Sequence, residues 1–133
     1  MLLENFESAY LLGVSEMDNT HREFVALLNQ LDVASKPDFI PLFAQLLKHT
    51  QAHFDAENEW MQTCRFPAIR EHTGEHERVL GELQRFNQRV ERGNVMMGRA
   101  YVREQLPSWF ELHAQTMDSA LAAYIKAYKD KHE

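Results

Sequence analysis

The run Leu46-Leu47-Lys48-His49-Thr50-Gln51-Ala52-His53-Phe54-Asp55-Ala56-Glu57-Asn58-Glu59-Trp60 sets a histidine and a glutamate on the apolar stripe of a helix. Extended in both directions, the stripe reads Phe39, Phe43, Leu46, Thr50, His53, Glu57, Trp60 and Cys64. Its steps of three and four keep one helix face towards a core. The next segment repeats the rhythm with Ile69, His72, His76, Val79, Leu83, Phe86 and Val90. Two such seams in succession are what packed antiparallel helices require. The spacing predicts helices over about 38–64 and 68–92. Arg65-Phe66-Pro67 makes a tight connection between them, and Gly93 stops the second.

The flanking sequence completes an all-α reading. A helix is expected over about 18–34, with Asp18 or Asn19 as N-cap and Phe24, Leu27, Leu28 and Leu31 as its stripe. Ser35-Lys36-Pro37 breaks it, and Pro41 is expected in the first turn of the helix that follows. A last helix spans about 97–129, with Pro107 inside it as a kink or junction. Residues 1–16, which include Phe6, Tyr10, Leu11, Leu12 and Val14, read as an irregular N-terminal arm. Four helices on short connections give a single-domain antiparallel up-down-up-down four-helix bundle over residues 1–133.

Composition narrows the function. The 133 residues are 44% hydrophobic and 26% charged, an ordinary globular balance, with a formal net charge of -6. Nucleic acid is an unfavourable partner for such a chain, because phosphate contacts need a basic face. No apolar run is long enough to span a membrane, and the first residues do not read as a secretory leader. Cys64 is the single cysteine, which fits a reducing compartment, most simply the cytoplasm.

The chemistry lies where polar residues interrupt the inward seams at one level. His53 and Glu57 do so on the second helix, His72 and His76 on the third, and His21 on the first beside Phe24 and Leu28. His113 follows Trp109 on the fourth helix, and Asp118 comes five residues later. Residues four apart share a helix face, so His53 with Glu57, and His72 with His76, form two chelating pairs. Charged groups are rarely buried unless paired or bound to metal, and five imidazoles with two carboxylates in one core call for a pair of metal ions. The step from His113 to Asp118 does not fit an α-helix. Asp118, Leu121, Ile125 and Tyr128 share a phase one step away from that of Val102, Leu106, Trp109 and His113. A π-bulge between the two sets would turn both groups inward.

Taken in order, His21, then H-x-x-x-E at His53–Glu57, H-x-x-x-H at His72–His76 and H-x-x-x-x-D at His113–Asp118, the chain resembles the bacterial hemerythrin family. Gly13-Val14-Ser15-Glu16-Met17-Asp18, Phe66-Pro67 and Trp109 four residues before His113 resemble the family's flanking motifs. The resemblance implies two iron ions bridged by an oxo or hydroxo group. His72, His76 and His113 would hold one iron, and His21 and His53 the other, with a position left open for O2. Glu57 and Asp118 would bridge both. Trp109, Phe110, Phe24, Leu28, Trp60 and Met117 are the candidates for an apolar wall around the oxygen pocket, with Phe110 bulkier than the family's usual leucine or isoleucine.

The implied activity is reversible O2 binding for storage, delivery or buffering, and not catalysis. Three other readings remain open: an oxygen or redox sensor acting through a separate partner, a di-iron peroxidase or iron-handling protein, and a zinc-bound or metal-free structural bundle. A lone buried histidine is more often a satisfied core residue than a ligand. The coincidence of seven donors in order on four helices carries the metal reading. His49 falls outside the pattern and is expected at the surface or behind His53. Asn58 is expected behind the donors or at the surface, His132 in solvent, and Cys64 as a packing residue.

Overall fold

The computed structural model describes residues 11–132. Its four helices are α1 (Ser15–Val33), α2 (Lys36–Thr63), α3 (Ile69–Glu91) and α4, which runs over 96–131. Connections of a few residues join them into the expected all-α four-helix bundle. None of these helices is long and apolar enough to cross a membrane.

The ends of the helices differ from the sequence expectation for local reasons. Helix α1 begins at Ser15, three residues early, and neither Asp18 nor Asn19 is its N-cap; Val14 holds that position without a side-chain bond. Asp18 is instead buried in the first turn and reaches back. Its carboxylate accepts the backbone N–H groups of Leu12 at 2.8 Å and Gly13 at 3.1 Å. Residues 15 and 16 of the expected arm are therefore helical, and Phe6 and Tyr10 lie outside the described residues. Helix α2 also starts early. Ser35 caps it by accepting from Asp38 N–H, and Pro37 occupies the first turn in place of breaking the chain. That displaces Pro41 from the first turn to the helix interior.

Two Schellman motifs turn the chain. At the end of α3, Gly93 has φ of 91°, with Gly93 N–H bonded to Val90 O at 2.9 Å and Asn94 N–H to Arg89 O at 3.0 Å. At the end of α2 the same pair of bonds runs from Arg65 N–H to Gln62 O at 3.3 Å and from Phe66 N–H to Met61 O at 2.9 Å. Here the left-handed position is held by Arg65, with φ of 53°. Phe66 and Met61 are buried in the same apolar cluster, in keeping with the apolar pairing that accompanies this motif.

Helix α4 is α-helical over Met96–Ala100, Leu106–His113 and Ser119–Lys131, with π-helical turns at Tyr101–Gln105 and Ala114–Asp118. The second turn is the bulge read from the phase shift between His113 and Asp118. The first was not foreseen. Leu106 N–H bonds back to Tyr101 O, five residues away, and Pro107 enters the first turn of the segment that follows, where its missing N–H costs little. Near the start of α4, Gly98 lets the chain approach closely: a Cβ there would lie 2.9 Å from Val90 Cγ2. Arg99 fastens this corner. Its guanidinium donates to the carbonyls of Leu31 at 3.1 Å and Ala34 at 2.6 Å, and stacks 4.8 Å from the Phe39 ring centre.

Two apolar clusters fill the bundle. The larger includes Phe24, Leu28, Leu31, Phe39, Phe43, Leu46, Leu83, Val90, Val102 and Phe110. The smaller contains Val14, Met17, Met61, Phe66, Leu121, Ala122 and Ile125. On each helix the sequence passes from one cluster to the other through a buried polar residue: His21 on α1, His53 and Glu57 on α2, His72 and His76 on α3, His113 and Asp118 on α4. Ile69, Phe86, Trp60 and Cys64 complete their stripes only in part, being half-buried, while Met61 and Asn87 are buried in addition.

The strained turn gives a test. Arg65→Gly removes a Cβ from a left-handed position and should stabilise the fold by about 1 kcal/mol, read as a higher urea midpoint with an unchanged slope.

Candidate metal centre

The polar layer brings all seven donors together. Glu57 Oε1 lies 3.3 Å from His72 Nε2 and 3.1 Å from His76 Nε2. Asp118 Oδ1 lies 3.0 Å from His72 Nε2 and 3.1 Å from His113 Nε2. The other oxygens face the opposite way: Glu57 Oε2 lies 2.6 Å from His53 Nε2 and 3.7 Å from His21 Nε2. Asp118 Oδ2 lies 3.2 Å from His21 Nε2. Together the two carboxylates thus span two groups of imidazoles, His72, His76 and His113 on one side and His21 and His53 on the other. The ligand atoms of Glu57, His72, His76, His113 and Asp118 lie within 4.8 Å of one another, as do those of His21, His53 and Glu57.

The local fold explains the convergence. His53 and Glu57 are one turn apart on α2, and His72 and His76 one turn apart on α3. The π-turn at Ala114–Asp118 puts an extra residue between His113 and Asp118, so both side chains face the same centre.

Several of these atoms have no hydrogen-bond partner. His21 Nε2, His76 Nε2, His113 Nε2, Glu57 Oε1 and Asp118 Oδ2 are all buried and unsatisfied. They face one another at contact distance without hydrogen-bond geometry. Orphaned polar atoms in a core are costly, and here they converge as donors converge on a cation. Nitrogen and carboxylate oxygen in this mixture suit iron and its neighbours in the first transition row. The donor set fits bound metal.

The charges of the metal-free chain are consistent with that convergence. Burial opposes the imidazolium form of His21, but the Asp118 and Glu57 carboxylates outweigh it and push its pKa up to about 9. His72 is likewise pushed up to about 9, burial again being overcome by Asp118 and Glu57. His76 is lowered, because burial dominates and Glu57 only partly offsets it. Burial and the neighbouring Glu57 would raise Asp118, yet His113, His21 and His72 hold it well below the usual carboxylate range. Glu57 is also lowered, with burial overcome by His53, His21 and His72.

Aromatic rings pack around the imidazoles. Phe54 lies flat on His76, 3.9 Å between ring centres at 6°. Trp109 stacks on His113 at 4.6 Å and donates its indole N–H to Glu75 at 2.8 Å. Phe110 stands edge-on to His21 at 5.2 Å and stacks on Phe24, also at 5.2 Å. Leu28 is fully buried in the same cluster as Phe24 and Phe110. The remaining wall candidates fall elsewhere. Trp109 covers an imidazole of the three-histidine side, Trp60 packs against Tyr128 and Lys129, and Met117 is half-buried.

Residues outside the motif are also placed. His49 is half-buried, its Nε2 3.3 Å from Glu23 Oε1 and its ring 6.4 Å from that of His53. His132 is exposed and packs on Tyr128. Cys64 is a half-buried free thiol whose pKa burial pushes up. Asn58 proves to be a direct neighbour of the donors, its Oδ1 2.9 Å from His76 Nδ1. That is the first of the two places expected for it, whereas the role of Phe54 was missed. Both lie one position after an inward donor, at the same spacing of four, and that doubled pair is the only trace they leave in the sequence.

Comparison with known proteins agrees with this geometry. The model of the hemerythrin HHE cation binding domain matches residues 12–125. A protein named Bacteriohemerythrin from Ralstonia nicotianae (strain ATCC BAA-1114 / GMI1000) is 34% identical over 120 residues, covering 90% of this chain and 87% of the relative. Another protein named Bacteriohemerythrin, from Stenotrophomonas maltophilia (strain R551-3), is 25% identical over 121 residues, 88% of this chain and 78% of the relative. No solved structure matches. With a family model spanning the bundle and a histidine–carboxylate layer at its centre, the chain belongs to the hemerythrin family.

Proposed function

We propose that this chain binds O2 reversibly at a di-iron centre and serves oxygen storage, delivery or buffering rather than catalysis. The observation that carries the reading is the division of each carboxylate between unequal groups of imidazoles. His72, His76 and His113 would hold one iron and His21 and His53 the other, with Glu57 and Asp118 spanning both. The side with two imidazoles is one donor poorer, which leaves room there for a small ligand. Two ferrous ions held by these residues would supply the pair of electrons that reversible O2 binding needs.

The protein's part is to hold that layer dry and fixed. Phe24, Leu28 and Phe110 would wall the His21 side, where their apolar surfaces exclude water and larger solutes. The aromatic rings against His76 and His113 restrain imidazole rotation on the other side. The histidine-rich donor set gives the irons fewer anionic ligands than a four-glutamate ferritin-like centre has. That difference favours return of the ligand over oxidation chemistry.

The decisive experiment is spectroscopic. The iron-loaded chain is reduced anaerobically, exposed to O2 and then stripped of it, over repeated cycles. A visible charge-transfer band should form and bleach each time with iron content constant. Prompt irreversible oxidation on the first exposure would reject oxygen carriage.

Two further outcomes test the donor set. Glu57→Ala removes the carboxylate shared by both groups, so iron content should fall from two per chain to near zero and the melting temperature should drop with it. Iron content equal to wild type would refute the assignment. Metal uptake should also expel protons. His21 and His72 of the metal-free chain rise from the ordinary 6.5 to about 9. Uptake near neutral pH therefore displaces about two protons, and apparent affinity climbs as pH rises towards about 9. The metal-free fold has the opposite dependence on these two groups. Their contribution is complete below the unfolded value of 6.5 and is lost as pH rises through about 9. Calorimetry of metal uptake in buffers of different ionisation enthalpy measures the proton count.

A further inference from the structure

His76 is held differently from His21 and His72. The Nδ1 atoms of His21 and His72 are buried with no hydrogen-bond partner. His76 Nδ1, in contrast, lies 2.9 Å from Asn58 Oδ1. The opposite edge of the same ring presents Nε2 at 3.1 Å from Glu57 Oε1. Its face is covered by Phe54, 3.9 Å away and nearly parallel. Three side chains of α2 thus meet one imidazole of α3 on both edges and one face. Phe54 and Asn58 are four residues apart, as are His53 and Glu57. Helix α2 therefore presents two adjacent rows, one of donors and one that grips the neighbouring helix's donor.

The chemistry of that grip is specific. An amide oxygen can only accept, so His76 must carry its hydrogen on Nδ1. The lone pair then lies on Nε2, which faces the centre. We propose that Asn58 is a positioning residue that fixes the Nδ1–H tautomer of His76 and sets its strength as a metal donor. This rests on the reading of the layer as a di-iron centre. A neutral amide draws less on the N–H than a carboxylate would, so it leaves the imidazole a milder donor than an aspartate partner would make it. Removal of such a partner typically costs ten- to a hundredfold in metal affinity.

The test compares wild type with Asn58→Leu and Asn58→Asp, the second being nearly isosteric and able to accept the same hydrogen bond. Three quantities are measured: the 15N shifts of His76 in the zinc-loaded chain, the ferrous dissociation constant, and the midpoint potential of the iron-loaded chain. Wild type should show protonated Nδ1 and metal-bound Nε2. Asn58→Leu should weaken iron binding about ten- to a hundredfold and broaden or shift the His76 signals. Asn58→Asp should restore iron binding and the Nδ1–H signature, and lower the midpoint potential by favouring the ferric state. If wild type takes up iron but Asn58→Leu matches it in all three measurements, this proposal fails alone. An Asn58→Asp variant with an unchanged potential also overturns it. A wild-type chain that takes up neither ion overturns the di-iron reading as well.

Discussion

The structure depends on one electrostatic constraint: two carboxylates and five imidazoles share a core from which water is excluded. Glu57 and Asp118 are each about fully buried, at 2% and 1% exposure. An ionised acid so placed is tolerable only when it is paired with opposite charge and its remaining lone pairs are satisfied. In the metal-free chain that compensation comes from imidazoles forced towards their charged form, with His21 and His72 pushed up to about 9. Even so, unsatisfied nitrogens and oxygens remain. The layer is an arrangement of donors suited to a cation.

The rest of the bundle holds this layer. The apolar clusters above and below it keep four helices in register, so donors distant in sequence meet at hydrogen-bond distances. Short connections built on Ser35, Arg65 and Gly93 limit how far one helix can slide along the next. Arg99 and Asp18 act at opposite ends of α1, one satisfying carbonyls at its end and the other binding backbone N–H groups ahead of its first turn. The rings of Phe54, Trp109 and Phe110 then restrain imidazoles that the backbone has already brought close.

Much of this was legible in the sequence, because periodicity reports which face of a helix turns inward. The seams of α2 and α3, the four-residue donor pairs and the altered phase after His113 all follow from that rule. The π-turn at Ala114–Asp118 was visible because it shifts a stripe. The turn at Tyr101–Gln105 was not, since Val102 and Leu106 keep an acceptable spacing across it and Pro107 alone suggested a kink. Helix starts were misjudged where capping competes with periodicity. Asp18 has the composition of an N-cap but binds backbone N–H groups preceding the helix, and Pro37 opens α2 where it read as a break. Trp60 sits on the seam by count yet only half-buries against Tyr128. Asn58 gave little signal, because a polar residue beside a donor looks the same in sequence whether it faces solvent or the neighbouring helix.

The widened turn before Ser119 also governs everything after it. Each α-helical residue advances the chain by about 100° around the axis, so one surplus residue rotates the whole C-terminal segment relative to the part before it. Leu121, Ala122 and Ile125 are spaced for the rotated setting and enter the smaller apolar cluster in it. Straightening the helix would swing these three side chains outward or carry Asp118 away from the centre. The greasy tail of α4 therefore works like the pawl of a ratchet: by staying seated, it keeps a locally unfavourable coil from relaxing and so keeps a carboxylate aimed at its partners.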